Sequence, residues 1–280
     1  MKYLIVNADD FGLARSVNEG IVKAMRSGVL SAVSLMPSGE AFSDAVAWAR
    51  ELGIKEAGAH LSLTESIPTL KAHEIPTLIA KNGRFHAHHS DFFLRYFLGN
   101  IRKGEILDEL RNQLDMVKNC GVKINYLSSH EHIHMMRPIL EIFIGLAKEY
   151  GIQSIRCVKK EHYPHRWGAR SIYRSVIISS ICRGAEETLK SEGMTCPDNF
   201  LGFIDSGNIN EDNLIIMIKS LKDGVTELVA HPGFLGSEVL ERYNFHINCE
   251  RELYALTSPR VKKAINDNRV TLVNHSGLNF

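Results

Sequence analysis

Tyr3-Leu4-Ile5-Val6-Asn7-Ala8-Asp9-Asp10-Phe11-Gly12 opens with a short apolar run that ends in two adjacent carboxylates. An apolar run bounded by polar residues and glycine reads as a buried strand. Successive strand residues point to opposite faces, so Asp9 and Asp10 take different parts unless the strand has already ended. One would hold a metal while its neighbour moves a proton, because a cation beside a carboxylate pair offsets their mutual repulsion. The alternative is an Asn-Ala-Asp-Asp turn that caps the next helix.

Outward from this strand the spacing alternates. Val17, Ile21, Val22, Ala24 and Met25 recur at helical intervals over residues 15–27 and stop near Gly28. Strands are predicted at 32–36, 57–63, 124–129, 154–158, 200–204, 227–230 and 270–273, with helices at 41–52, 105–118, 138–150 and 172–192. Asn210 and Ser258 are the expected N-caps of two later helices, Ser258 being followed by Pro259 at the first helical position. Residues 64–90 lose periodicity and collect Pro68, Pro76, Gly83, His73, His86, His88 and His89. A connection this long reads as a lid or binding loop, within an insertion at about 64–103.

Eight strands alternating with helices in 280 residues predict a single α/β domain, a TIM-like (β/α)-barrel or a distorted variant, with its site at the carboxyl ends of the strands. Those ends carry Asp9 and Asp10, then His60, His130, His231 and His275. An Asp with two His ligands leaves coordination positions open for water and a substrate oxygen, as a hydrolytic metal needs. Ser129-His130-Glu131-His132-Ile133-His134 would place its three imidazoles on one side if the strand persists. No serine or cysteine sits in a GxSxG context, and no GxGxxG or P-loop supports a nucleotide cofactor.

With 33 basic and 32 acidic residues, the charge balance gives no general reason to expect nucleic acid or an anionic membrane as partner. The five scattered cysteines form no CxxC pair, and no apolar run is long enough for a signal peptide or a membrane span. The cytoplasm is the expected location.

Val6-Asn7-Ala8-Asp9-Asp10-Phe11-Gly12 with Asn18 and Gly20, Gly58-Ala59-His60-Leu61, Ser129 to Met135, and His231-Pro232-Gly233 together resemble the signature blocks of the YdjC-like carbohydrate deacetylases, in the family's order. The resemblance implies Asp10, His60 and His130 as metal ligands, Asp9 as general base and His231 as general acid. It implies Mg²⁺, although Zn²⁺ or Co²⁺ would suit the donors. The implied reaction is hydrolysis of the N-acetyl group of an amino sugar or chitooligosaccharide. Family members are described as homodimers, and the aromatic helix at 92–98 would supply an interface. His132 and His134 would line the sugar site, orient the ligands or merely pack at the barrel mouth. Arg166, Trp167 and Tyr243 would contact sugar from the rim. Ser128 departs from the aspartate expected two residues before His130, which would remove a partner for a ligand. The competing readings are a metal-dependent hydrolase of a phosphoester or cyclic amide, and a non-catalytic metal- or sugar-binding barrel.

Overall fold

Leu4, Ile5 and Val6 are fully buried, as a strand covered on both faces requires, and the sheet is built around them. In the computed structural model, which describes residues 1–164 and 184–278, β1 (Lys2–Phe11) pairs in parallel with three other strands. The remaining strands are β2 (Ala32–Leu35), β3 (Glu56–Leu61), β4 (Lys123–Ser129), β5 (Asn199–Leu201), β6 (Gly224–Ala230) and β7 (Val270–Leu272). The order is β4-β3-β2-β1-β6-β5, with β7 on β1, in one seven-stranded sheet. Helices α1 (Arg15–Ser27), α2 (Phe42–Glu51), α3 (His89–Phe97), α4 (Lys103–Asn119) and α5 (Arg137–Tyr150) alternate with the strands. The chain is a single α/β domain of the expected class.

Two predicted strands behave differently from a regular eight-stranded ring. The first lies over 154–158 and makes only single parallel bridges, Leu127 to Ile155 and Ser154 to Thr195, which carry the order from β4 towards β5. No ladder extends there, partly because the Arg156 carbonyl accepts from His134 Nε2 at 3.0 Å rather than from a strand neighbour. The second is β7, which lies beside Lys2 to Leu4 of β1, whereas β2 pairs with Asn7, Ala8 and Phe11 further along. Ser31 joins the three strands by accepting from Val6 N–H at 3.0 Å and donating to the Val273 carbonyl at 2.6 Å.

The turn after β1 does not use its aspartates as a helix cap. Ala14 is the N-cap of α1 and makes no side-chain capping bond. Asn18, one turn into α1, instead accepts from Gly12 N–H at 2.8 Å, and this ties the helix to the strand end. Gly20 in the same helix packs directly on the backbone of Gly233, and a Cβ there would overlap it. Asn210 and Ser258 cap their helices as expected, accepting from the N–H groups of Asn213 and Arg260.

Residues 62–88 hold no helix or strand ladder but are firmly docked. Ile75, Leu78 and Phe85 are buried. Glu109 of α4 accepts from the N–H groups of Thr69 and Leu70, and Glu105 accepts from that of Thr77. Most of the helix expected at 172–192 lies outside the described residues, and Ala185–Ser191 is helical. Among the described residues, no helix is long and apolar enough to cross a membrane.

Candidate metal and catalytic site

The register of β1 shifts between Ala8 and Phe11, and Asp10 adopts a φ of 62°. Simple alternation would separate Asp9 from Asp10, but this kink turns both carboxylates onto one cavity of about 980 Å³. Glu65, Glu131 and His132 also have positive φ, at 61°, 51° and 53°, and all three line the same cavity. Left-handed backbone at non-glycine residues is costly, and its concentration on one cavity marks a site held in place by its surroundings.

Asp10, His60 and His130 each offer a donor atom, and these atoms lie within 4.8 Å of one another. Asp10 Oδ1 is 2.9 Å from His130 Nδ1 and 3.3 Å from His60 Nε2. One hard oxygen and two imidazole nitrogens form a donor set suited to a divalent cation. Burial alone would raise the Asp10 pKa, but the charge of His130 and hydrogen bonds from His130, His246 and His60 hold it well below the usual carboxylate range.

Other residues fix the orientation of these three. His60 Nδ1 meets Ser128 Oγ at 2.9 Å, so the serine supplies the partner that its lack of a carboxylate was expected to remove. His130 Nε2 meets Glu65 Oε2 at 3.0 Å, and His246 Nε2 meets the second oxygen of Asp10 at 2.9 Å. Neither Glu65 nor His246 carries a local sequence signal, since each sits in an aperiodic loop far along the chain from its partner.

Asp9 is bound differently. Arg156 grips it through Nη1 to Oδ2 at 2.6 Å and Nη2 to Oδ1 at 2.9 Å, and Oδ1 also accepts from Asn7 at 2.8 Å and Ser34 at 3.1 Å. Burial opposes ionisation of Asp9, yet the charges of Arg156 and His60 keep its pKa far below the normal range. Arg156 is itself fully buried and shares its guanidinium with Glu227, Nε to Oε1 at 2.8 Å. His275 does not line the cavity. It packs on Tyr126 with ring centroids 3.5 Å apart and lies 3.5 Å from Glu227, so the last of the expected rim histidines belongs to this buried layer.

His231 lines the cavity on the loop that Gly20 packs against. Its Nδ1 lies 3.8 Å from Glu252 Oε2, an ion-pair distance, and its own N–H donates to the same carboxylate at 2.6 Å. Burial works against a charged His231, but Glu252, Asp10 and Asp9 outweigh it and raise the pKa.

The three histidines after β4 do not share a face, because the strand stops at Ser129 and a 3₁₀ turn follows. His132 lines the cavity between Phe200 and Phe203. His134 is buried behind it, bonded to Ser129 Oγ and the Arg156 carbonyl. Tyr243 is only 1% exposed and meets Arg84 through its hydroxyl, so it offers no face to a sugar. Arg166 and Trp167 lie outside the described residues.

Residues 3–267 match the sequence profile of the family described as YdjC-like protein. A carbohydrate deacetylase of Brevibacillus brevis is 31% identical over 98% of this chain and 99% of its own length. A carbohydrate deacetylase of Thermoanaerobacter pseudethanolicus is 28% identical, with 99% of both chains covered. A crystal structure from Enterococcus faecalis V583 superposes with a TM-score of 0.81 at 24% identity, covering 100% of this chain and 99% of that one, which shows a shared fold.

Proposed function

The chain belongs to the YdjC-like family, and we propose that it is a carbohydrate deacetylase that hydrolyses the N-acetyl group of an amino sugar or chitooligosaccharide. The observation that carries this reading is the convergence of Asp10, His60 and His130 on the same cavity as Asp9 and His231. Full-length relatives named carbohydrate deacetylase support the reaction class.

In this proposal Asp10, His60 and His130 hold a divalent ion, Mg²⁺ by family resemblance, with Zn²⁺ or Co²⁺ suited to the same donors. Such an ion, when bound, acidifies water and polarises the acetyl carbonyl. Asp9 is the general base. Its low pKa makes it a weak one, so it receives the proton only from water already made acidic, and the Arg156 fork keeps it ionised and aimed. His231, charged through Glu252, donates a proton to the departing sugar amine. His132, Phe203 and Phe245 line the apolar part of the cavity, and the 64–103 insertion, which contributes Arg84, His88 and Phe93 to the wall, acts as a lid over it.

A phosphoester substrate would call for free cations at the mouth. Arg84 and Arg242, which line the cavity, are instead both paired with Glu40, at 2.7 and 2.6 Å. Leu94, Phe97 and Leu98 are exposed on or just after α3 and support the homodimer as part of this reading; a monomer mass by light scattering would remove that part. Cytoplasmic location likewise remains part of the proposal.

The test is acetate release from N,N′-diacetylchitobiose and other N-acetylated sugars by metal-stripped protein restored with Mg²⁺, Zn²⁺ or Co²⁺, beside Asp9→Asn. Metal-dependent release that Asp9→Asn abolishes while metal still binds is expected. No acetate from any sugar with any metal would return the chain to a general metal-dependent hydrolase.

A further inference from the structure

A histidine that holds a metal through one ring nitrogen works best when the other donates its N–H to a fixed acceptor, because this sets both tautomer and ring orientation. His130 Nδ1 belongs to the donor cluster, 2.9 Å from Asp10 Oδ1. Its Nε2 lies 3.0 Å from Oε2 of Glu65. Glu131, the carboxylate next to His130 in sequence, is engaged elsewhere, with Oε1 2.8 Å from His89 Nδ1. Glu65 is therefore the acceptor His130 uses, although it comes from a different loop.

The backbone of Glu65 is as constrained as its side chain. It holds a φ of 61°, in the left-handed region that a glutamate seldom occupies. Its N–H donates to the His86 carbonyl at 3.0 Å. Its own carbonyl accepts from Arg84 Nε at 3.4 Å and Nη2 at 3.3 Å. The far end of the same loop, residues 84–86, thus clamps Glu65 from behind. Arg84 is anchored in turn by Glu40 and Tyr243, at 2.7 and 3.1 Å.

We infer that Glu65 is a positioning residue for His130, and that through it the docking of the 64–88 loop sets the metal affinity of the site. This rests on the metal-site reading given above. The carboxylate holds the imidazole so that the Nδ1 lone pair faces Asp10 and His60, and the Arg84 clamp holds the carboxylate. Loop and metal site are then one unit, because both Glu65 and Arg84 face the cavity.

The experiment uses the full chain stripped of metal and titrated with Co²⁺, followed by calorimetry and by the visible spectrum of the bound ion. Glu65→Ala is expected to weaken Co²⁺ binding about 10- to 100-fold and to change the spectrum, leaving the melting temperature of the metal-free protein unchanged. Glu65→Gln keeps an acceptor and is expected to restore much of the affinity, which a purely structural role would not predict. Should Glu65→Ala fail to fold, Glu65→Gln and Arg84→Ala decide the matter; the latter is expected to weaken binding several-fold by freeing the Glu65 carbonyl. Co²⁺ binding unchanged in the Glu65 variants, with binding lost in His130→Ala, overturns this inference alone. Unchanged binding in His130→Ala overturns the metal-site reading beneath it.

Discussion

Arg156 and Asp9 face each other as a fully buried fork, Nη1 to Oδ2 at 2.6 Å and Nη2 to Oδ1 at 2.9 Å, and the same guanidinium also serves Glu227. One cation thus neutralises part of a layer that holds two buried carboxylates. Removing it takes from both buried carboxylates the guanidinium they share. Arg156→Met is expected to lower stability by about 3–5 kcal/mol, measured by urea unfolding. Asp9→Asn in the same chain should recover part of that loss, and purely additive effects would count against the pairing.

The hydroxyl of Ser128 fixes His60 through Nδ1 at 2.9 Å. Ser128→Ala is expected to weaken divalent-metal binding about 10-fold or more, with a stability loss of only about 1 kcal/mol. Ser128→Asp should bind at least as tightly as wild type. Metal titration calorimetry on the three proteins tests this order.

Glu252 raises the pKa of His231 above its ordinary 6.5. As a raised histidine pKa, it contributes stability that is fully present below 6.5 and lost as pH rises through the higher folded value. Protonated His231 is also the form that donates to the leaving amine. In Glu252→Gln the alkaline limb of acetate release should therefore move to lower pH. A pH–rate profile with an unmoved limb would exclude His231 as the acid.

His134 shows the opposite sign. Burial, followed by the charge of Arg156, pulls its pKa down from 6.5 to about 3. The folded state then binds fewer protons than the unfolded chain, so stability is present above pH 6.5 and lost as pH falls towards 3. His134→Gln, whose amide can still donate to the Arg156 carbonyl, should show a shallower loss of urea midpoint between pH 6.5 and 4.

Much of the fold was legible because strand and helix periodicity are local. β1, α1, β4 and α5 lie within a few residues of their predicted bounds, and the caps at Asn210 and Ser258 follow from side-chain chemistry alone. The strand predicted at 154–158 has the right apolar pattern, but the carbonyl of its Arg156 accepts from His134 of another segment, and the Arg156 side chain turns into the buried layer to meet Asp9 and Glu227. His275 has the same look in sequence as His231, since each follows a strand, yet β7 lies beside the first residues of β1 and delivers its histidine to the layer below.

The sequence by itself determined the α/β class and the residues at the strand ends, because each depends on residue type and short-range spacing, while the choice of Asp10, His60 and His130 as donors came from the resemblance to the YdjC-like family. Only the tertiary structure decided that Asp9 and Asp10 share one cavity, that Arg156 grips Asp9, and that Ser128, Glu65 and His246 hold His60, His130 and Asp10. Those relationships depend on a positive φ at Asp10 and on contacts as distant as Asp10 with His246. Partners separated by that much chain are joined by the fold, and no local spacing records them.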